Sequence, residues 1–170
     1  MRAARVVGTA LLATAFLAVP GVAPVDGLVD GLVNGPPAAE AAASPAQEML
    51  TLVNAERSKA GCAPVRLDAR LNNAAAKHST DMAANNYFSH TSRNGASFVT
   101  RIKAEGYPTP RSENIAAGRT TAQATLTQWM NSAGHRRNIL DCTAKDMGVG
   151  VASNPRSTYR TYWTQDFGRG

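Results

Sequence analysis

Met147-Gly148-Val149-Gly150-Val151 and, after a short break, Tyr159-Arg160-Thr161-Tyr162-Trp163-Thr164-Gln165-Asp166-Phe167 decide the fold class. In the first stretch apolar residues alternate with glycine. In the second, Tyr159, Thr161, Trp163, Gln165 and Phe167 recur with period two, the signature of strands. Ser153-Asn154-Pro155-Arg156-Ser157 between them has turn composition, so the pattern predicts a C-terminal antiparallel hairpin.

Upstream of Cys142 the period is helical. Ser44-Pro45-Ala46-Gln47 supplies an N-cap, a proline at the first helical position and a capping-box glutamine. Leu50, Val53 and Arg57 follow at helical spacing until Gly61. A second helix opens at Asp68, carries Leu71, Ala75, His78 and Met82 on one face and ends at Asn85-Asn86. Ser97 caps a short third helix with Phe98 and Ile102, closed by Gly106. Thr120 with Gln123 reads as the capping box of a fourth, whose stripe is Leu126, Trp129 and Met130 and whose end lies near Gly134. A helical turn from His135 to Leu140 follows. Helices first and strands last predict an α+β domain with helices packed on a small sheet, and Trp129 and Trp163 are expected in its core.

The N-terminus reads as an export signal. Arg2 and Arg5 precede the 13 apolar residues Val6–Ala18, short of the roughly 20 that span a bilayer. The division is a signal over 1–23, with cleavage as late as 43 as an alternative, a Pro/Gly/Ala-rich linker over 24–44 and a domain over 45–170. No transmembrane anchor is expected after cleavage, and the protein is expected to be secreted. The whole chain has 18 basic and 12 acidic residues. Without Arg2, Arg5, Asp26, Asp30 and Glu40 the balance is 16 to 9, or +7. The basic residues are scattered and no aromatic-interleaved basic stripe occurs, which argues against nucleic acid as a partner. Two cysteines in an exported chain are expected to pair, Cys62 with Cys142.

Three histidines occur, at 78, 90 and 135. His78 sits at a core-facing helical position and reads as structural. His90, in Phe88-Ser89-His90-Thr91, and His135, in Gly134-His135-Arg136-Arg137-Asn138, lie in polar surroundings. Between them Glu113 precedes the apolar run Ile115-Ala116-Ala117, an unfavourable place for a carboxylate unless it is paired or solvated in a cleft. Two histidines and one carboxylate, read here as coming from separate loops, could hold a metal or transfer a proton.

Taken in order, Leu52-Val53-Asn54-x-Glu56-Arg57, His78-Ser79-x-Asp81-Met82, Phe88-Ser89-His90, Glu113-Asn114-Ile115-Ala116, Trp129-Met130-Asn131-Ser132-x-Gly134-His135-Arg136-x-Asn138-Ile139-Leu140, Gly148-Val149-Gly150-Val151-Ala152 and Tyr162-Trp163-Thr164-Gln165-x-Phe167 resemble the CAP superfamily. That superfamily comprises cysteine-rich secretory, antigen 5 and pathogenesis-related 1 proteins, and the likeness is to its bacterial, SCP-like branch. The resemblance implies a three-layer α-β-α sandwich with a mostly antiparallel central sheet, and a cleft lined by two histidines and two glutamates. His90, Glu113 and His135 match three of these by position. Ser132 stands where the second glutamate usually lies, and a hydroxyl there should weaken divalent-cation binding.

The resemblance therefore implies an extracellular binding module whose cleft takes a lipid, a wall component or a protein partner, with no cofactor required. His90, Glu113 and His135 are candidate ligands for Zn or Mg, and a metal-assisted hydrolase using them is the alternative reading. A structural envelope protein is a third. No standard nucleophile motif is present.

Overall fold

The computed structural model describes residues 43–170. The expected export signal and nearly all of the expected linker lie outside the described residues. Five helices and four strands follow one another as α1 (Pro45–Lys59), β1 (Arg66–Leu67), α2 (Ala69–Asn85), α3 (Phe98–Ala104), β2 (Pro110–Ala117), α4 (Ala122–Met130), α5 (Ala133–Ile139), β3 (Asp146–Ser153) and β4 (Thr161–Gly168).

Local chemistry sets the helix starts. Ser44 Oγ accepts from Gln47 N at 3.2 Å and Asp68 Oδ1 accepts from Arg70 N at 2.8 Å, each satisfying a backbone N–H that has no partner inside its helix. Asn86 ends α2 in the left-handed conformation, φ 50. The fourth helix corrects the sequence reading by one residue. Thr121, not Thr120, is its cap, accepting from Ala124 N at 3.2 Å. The helical turn expected from His135 to Leu140 is present as α5, Ala133–Ile139, which starts two residues earlier and has Gly134 inside it, while α4 ends already at Met130.

The hairpin forms as expected, with β3 and β4 antiparallel over Asp146↔Gly168 to Ser153↔Thr161. Tyr159 is outside the strand, in the turn. Two strands lack a sequence signal of their own. β2 lies antiparallel on the outer side of β4, and the two-residue β1 pairs parallel with β3, giving the order β1-β3-β4-β2. The sheet is therefore mostly, though not wholly, antiparallel.

Helices cover both faces of this sheet. Met49, Val53, Trp129 and Ile139 from α1, α4 and α5 pack with Met147, Val149, Trp163 and Phe167. On the opposite face α2 and α3 close over the sheet, with Leu71 against Ile102 and Tyr107, and Met82 against Ile115 and Tyr162. Trp129 and Trp163 are both buried. The result is the α-β-α sandwich. Because β4 is covered on both sides, all eight of its residues are buried, as in sheets enclosed by helices.

Two long-range ties close the first helix onto the segment before the hairpin. Cys62 and Cys142, 80 residues apart, form a disulfide. The buried guanidinium of Arg57 donates to the carbonyls of Ala63, Ile139, Asp141 and Ala144. These four carbonyls satisfy a cation that would otherwise be costly to bury.

The alternating glycines of β3 have a steric cause. A Cβ on Gly148 would sit 2.1 Å from the Leu71 backbone, and one on Gly150 would sit 2.2 Å from Ala76 N. Helix α2 thus rests directly on the strand backbone. Gly150→Ala is accordingly expected to cost about 1–3 kcal/mol or more through overpacking. In contrast, Gly134→Ala, whose added methyl would meet nothing closer than Arg137 Nη2 at 4.0 Å, should stabilise α5 by up to about 1 kcal/mol. Urea unfolding of the two variants checks the contrast, and equal effects would contradict it.

Candidate functional site

Neighbouring residues of β2 face opposite layers, and the site follows from that alternation. Glu113 points toward the α2–α3 layer, and Asn114 toward α5. Asn114 donates to Gln165 Oε1 at 3.0 Å and to the carbonyl of His135 at 3.2 Å. Asn138 donates to Asn114 Oδ1 at 2.8 Å and to the Glu113 carbonyl at 3.2 Å. These amides fasten α5, and with it His135, to the outer strand of the sheet.

The Glu113 side chain is 1 % exposed, and each of its oxygens is engaged. Oε2 accepts from Arg101 Nη2 at 2.5 Å and Oε1 pairs with His90 Nδ1 at 2.8 Å. A carboxylate acceptor places the proton on His90 Nδ1 and leaves Nε2 for an external partner. The His90 side chain is 53 % exposed. Arg101 also uses Nη1 on the carbonyls of His90 and Ala96 and on Ser92 Oγ. One guanidinium thus holds both Glu113 and the loop that carries His90.

Asp166 lies directly across from Glu113 in the β2–β4 register, and paired residues in such a ladder share a face. It is 1 % exposed, and neither carboxyl oxygen meets a hydrogen-bond donor. Burial, reinforced by the charge of Glu113, pushes its carboxyl well above the ordinary range, against a smaller opposing pull from Arg101. Of the two carboxyls, Asp166 is the one whose ionisation its surroundings oppose, and Glu113 the one that Arg101 answers.

His135 stands in the first turn of α5, its Nδ1 buried without a partner. Burial, then the nearby His90, lower its pKa. Ser132 begins the same helix without capping it through its side chain. His78 is buried, bonded through Nε2 to the Ser89 carbonyl at 2.9 Å, and its pKa is lowered chiefly by burial. It is a structural residue of α2. The residues thus come neither all from loops nor as three equals. Glu113 is on a strand, His135 on a helix, and only His90 on a loop. Direct contact joins His90 to Glu113, and no hydrogen bond joins either side chain to that of His135.

Arg101 and Asp166 escaped the sequence reading. Arg101 sits one residue before Ile102 on a short helix and resembles any solvated cation. Asp166 falls on the alternate positions of β4, which a one-faced strand would turn to water.

Among the described residues, no three His, Cys, Asp or Glu side chains form a group that could hold a metal ion. With both Glu113 oxygens committed, two imidazoles remain, one short of the three protein ligands of a catalytic zinc site. The carboxylate is placed to orient His90.

The model of the CAP, cysteine-rich secretory protein family matches residues 50–167. The protein YkwD of Bacillus subtilis is 38 % identical over 123 residues, which cover 71 % of this chain and 46 % of that protein. The membrane protein YlbC of the same organism is 37 % identical over 71 % of this chain and 33 % of its own length. The chain therefore spans less than half of either relative. An extracellular protein containing an SCP domain from Bacillus anthracis superposes with a TM-score of 0.66 at 33 % identity, over 74 % of this chain and 40 % of that one. An outer surface protein of Borrelia burgdorferi shares the fold at 18 % identity, TM-score 0.64, over 72 % and 90 % of the two chains.

Asp166 gives a pH test. Its raised folded pKa means that its contribution to stability is full below the unfolded value of 3.8 and is lost as pH rises through the folded value. Asp166→Asn keeps the neutral shape without the ionisation. The stability of the variant relative to wild type, from urea midpoints, should therefore rise as pH climbs from the unfolded value of 3.8 through the raised folded value. A difference constant with pH would contradict a protonated Asp166.

Proposed function

Since the chain belongs to the CAP, cysteine-rich secretory protein family, we propose that it is a secreted, non-catalytic binding module whose cleft presents His90, with His135 and Ser132 nearby, to an extracellular ligand. The observation that carries this reading is the state of Glu113. Its side chain is 1 % exposed, with one oxygen on Arg101 and the other on His90, so the carboxylate is turned to the protein and not toward a bound molecule. What remains outward is an oriented imidazole whose Nε2 lone pair can accept one hydrogen bond. That suits recognition of a hydroxyl, carboxyl or amide on a lipid, a wall component or a protein partner.

Location outside the cell is supported by the sequence of the leader, by the disulfide, which persists in oxidising compartments, and by the extracellular SCP-domain protein with the same fold. No helix among the described residues is long and apolar enough to cross a membrane.

Untargeted mass spectrometry of molecules that co-purify with the chain tests the proposal. The reading predicts a ligand that is retained by wild type and lost from His90→Ala, with no hydrolysed product formed. Turnover of an ester or peptide library that disappears in His90→Ala would replace it with the hydrolase. Zinc titration by calorimetry is expected to show at most weak binding, reduced further by His135→Ala, and affinity should fall as pH drops through the lowered pKa of His135. Tight binding that survives both Glu113→Gln and His135→Ala would place any metal elsewhere.

A further inference from the structure

Phe88 and Tyr159 are the two large hydrophobic side chains exposed among the described residues, at 43 % and 47 %. Their rings meet edge to face with centroids 5.9 Å apart, and Tyr159 stands edge-on to Tyr162 at 6.0 Å. Tyr162 is fully buried with Met82 and Ile115. The exposed pair is therefore the outer end of an aromatic stack rooted in the core.

The two segments that carry it are pinned together. Asn86 Oδ1 accepts from Thr158 N at 2.8 Å, and Asn154 Nδ2 donates to the Ala83 carbonyl at 2.9 Å. Arg160, at φ 63, turns the chain back into β4. A platform already fixed in this way pays little ordering entropy on binding.

Its charge is mostly positive. Arg156 and Arg160 belong to the turn that carries Tyr159, and Arg93 donates to Asn85 Oδ1 at 3.3 Å beside Asn86. None of the three forms an ion pair among the described residues. The acid in this region, Asp81, is occupied by the Tyr87 hydroxyl and the Asn85 amide.

From this we infer that Phe88 and Tyr159, with Arg93, Arg156 and Arg160 on the segments that carry them, form a docking surface for an acidic glycan, sugar rings lying on the aromatic pair and carboxylates meeting the guanidiniums. Aromatic faces offer apolar contact with a polar rim, and arginine forks match carboxylates in pairs. A net charge of +7 on the domain draws a polyanion toward it. A membrane is the poorer fit. Interfacial anchoring buries apolar groups about 5–10 Å deep, whereas these rings are each more than half covered by the protein itself. The inference rests on the chain's being an extracellular binding module, but not on the His90 cleft.

The test is calorimetric titration of the full 170-residue chain with oligogalacturonate at low ionic strength, beside a neutral malto-oligosaccharide and inorganic polyphosphate. Oligogalacturonate is expected to bind more tightly than either. Phe88→Ala should weaken it roughly 2- to 10-fold, and Arg156→Gln with Arg160→Asn should flatten its dependence on salt. All three positions are exposed, and unchanged thermal midpoints would show that the variants fold. Polyphosphate binding as tight as oligogalacturonate would reduce the surface to bare charge and overturn the inference. So would capture by phosphatidylglycerol vesicles with the same loss in Phe88→Ala. No binding of oligogalacturonate at all would also overturn it, while a co-purifying ligand lost only in His90→Ala would leave the cleft reading standing.

Discussion

A carboxylate with 1 % of its side chain exposed cannot stay ionised without a counter-charge, and Arg101 supplies it to Glu113. Removing one partner from such a buried pair typically costs about 3–5 kcal/mol, because the other is left charged and dry. The pair also has a structural reach beyond its own energy. Through Nη1 the same guanidinium fixes the carbonyls of His90 and Ala96, so one interaction holds α3, the loop after α2 and the outer strand β2 in register. His90 is oriented because Glu113 is, and Glu113 is held in place by Arg101.

Strand order brings both helical layers to this local pair. β2 lies at the edge of the sheet, so side chains from the two helical layers meet around it without a further strand between them. Glu113 reaches one layer and Asn114 the other. The Asn114 and Asn138 amides bring the first turn of α5 to the same edge, and His135 with it. Across the ladder from Glu113, burial and the Glu113 charge both disfavour ionisation of Asp166, as expected of two neighbouring carboxyls. The site is thus built from one guanidinium, two carboxyls and two imidazoles.

Much of this was legible in the sequence, for identifiable reasons. Caps such as Ser44 and Asp68 act through their immediate neighbours, so they could be read locally, as could the period-two hairpin. His90 and Glu113 stood out through their order among recognisable fragments. The rest depends on contacts distant in sequence. β2 opens with Pro110-Arg111-Ser112-Glu113-Asn114, which has no strand period, and it is a strand because β4 lies beside it. β1 is two residues long and owes its parallel pairing to β3. Alternation along β4 promised one wet face, but α2 covers that face, and so Asp166 was passed over. Arg101 has no sequence feature that separates it from an exposed arginine; its partner is 12 residues away across a turn.

A double-mutant cycle on Arg101→Gln and Glu113→Gln, followed by urea unfolding, tests this account most directly. If the buried pair organises the site, each single variant should lose about 3–5 kcal/mol and the double variant clearly less than their sum, since neither charge is then stranded. Losses that add to within about 0.5 kcal/mol would show that the two residues act independently, and the account of His90's orientation would fall with them.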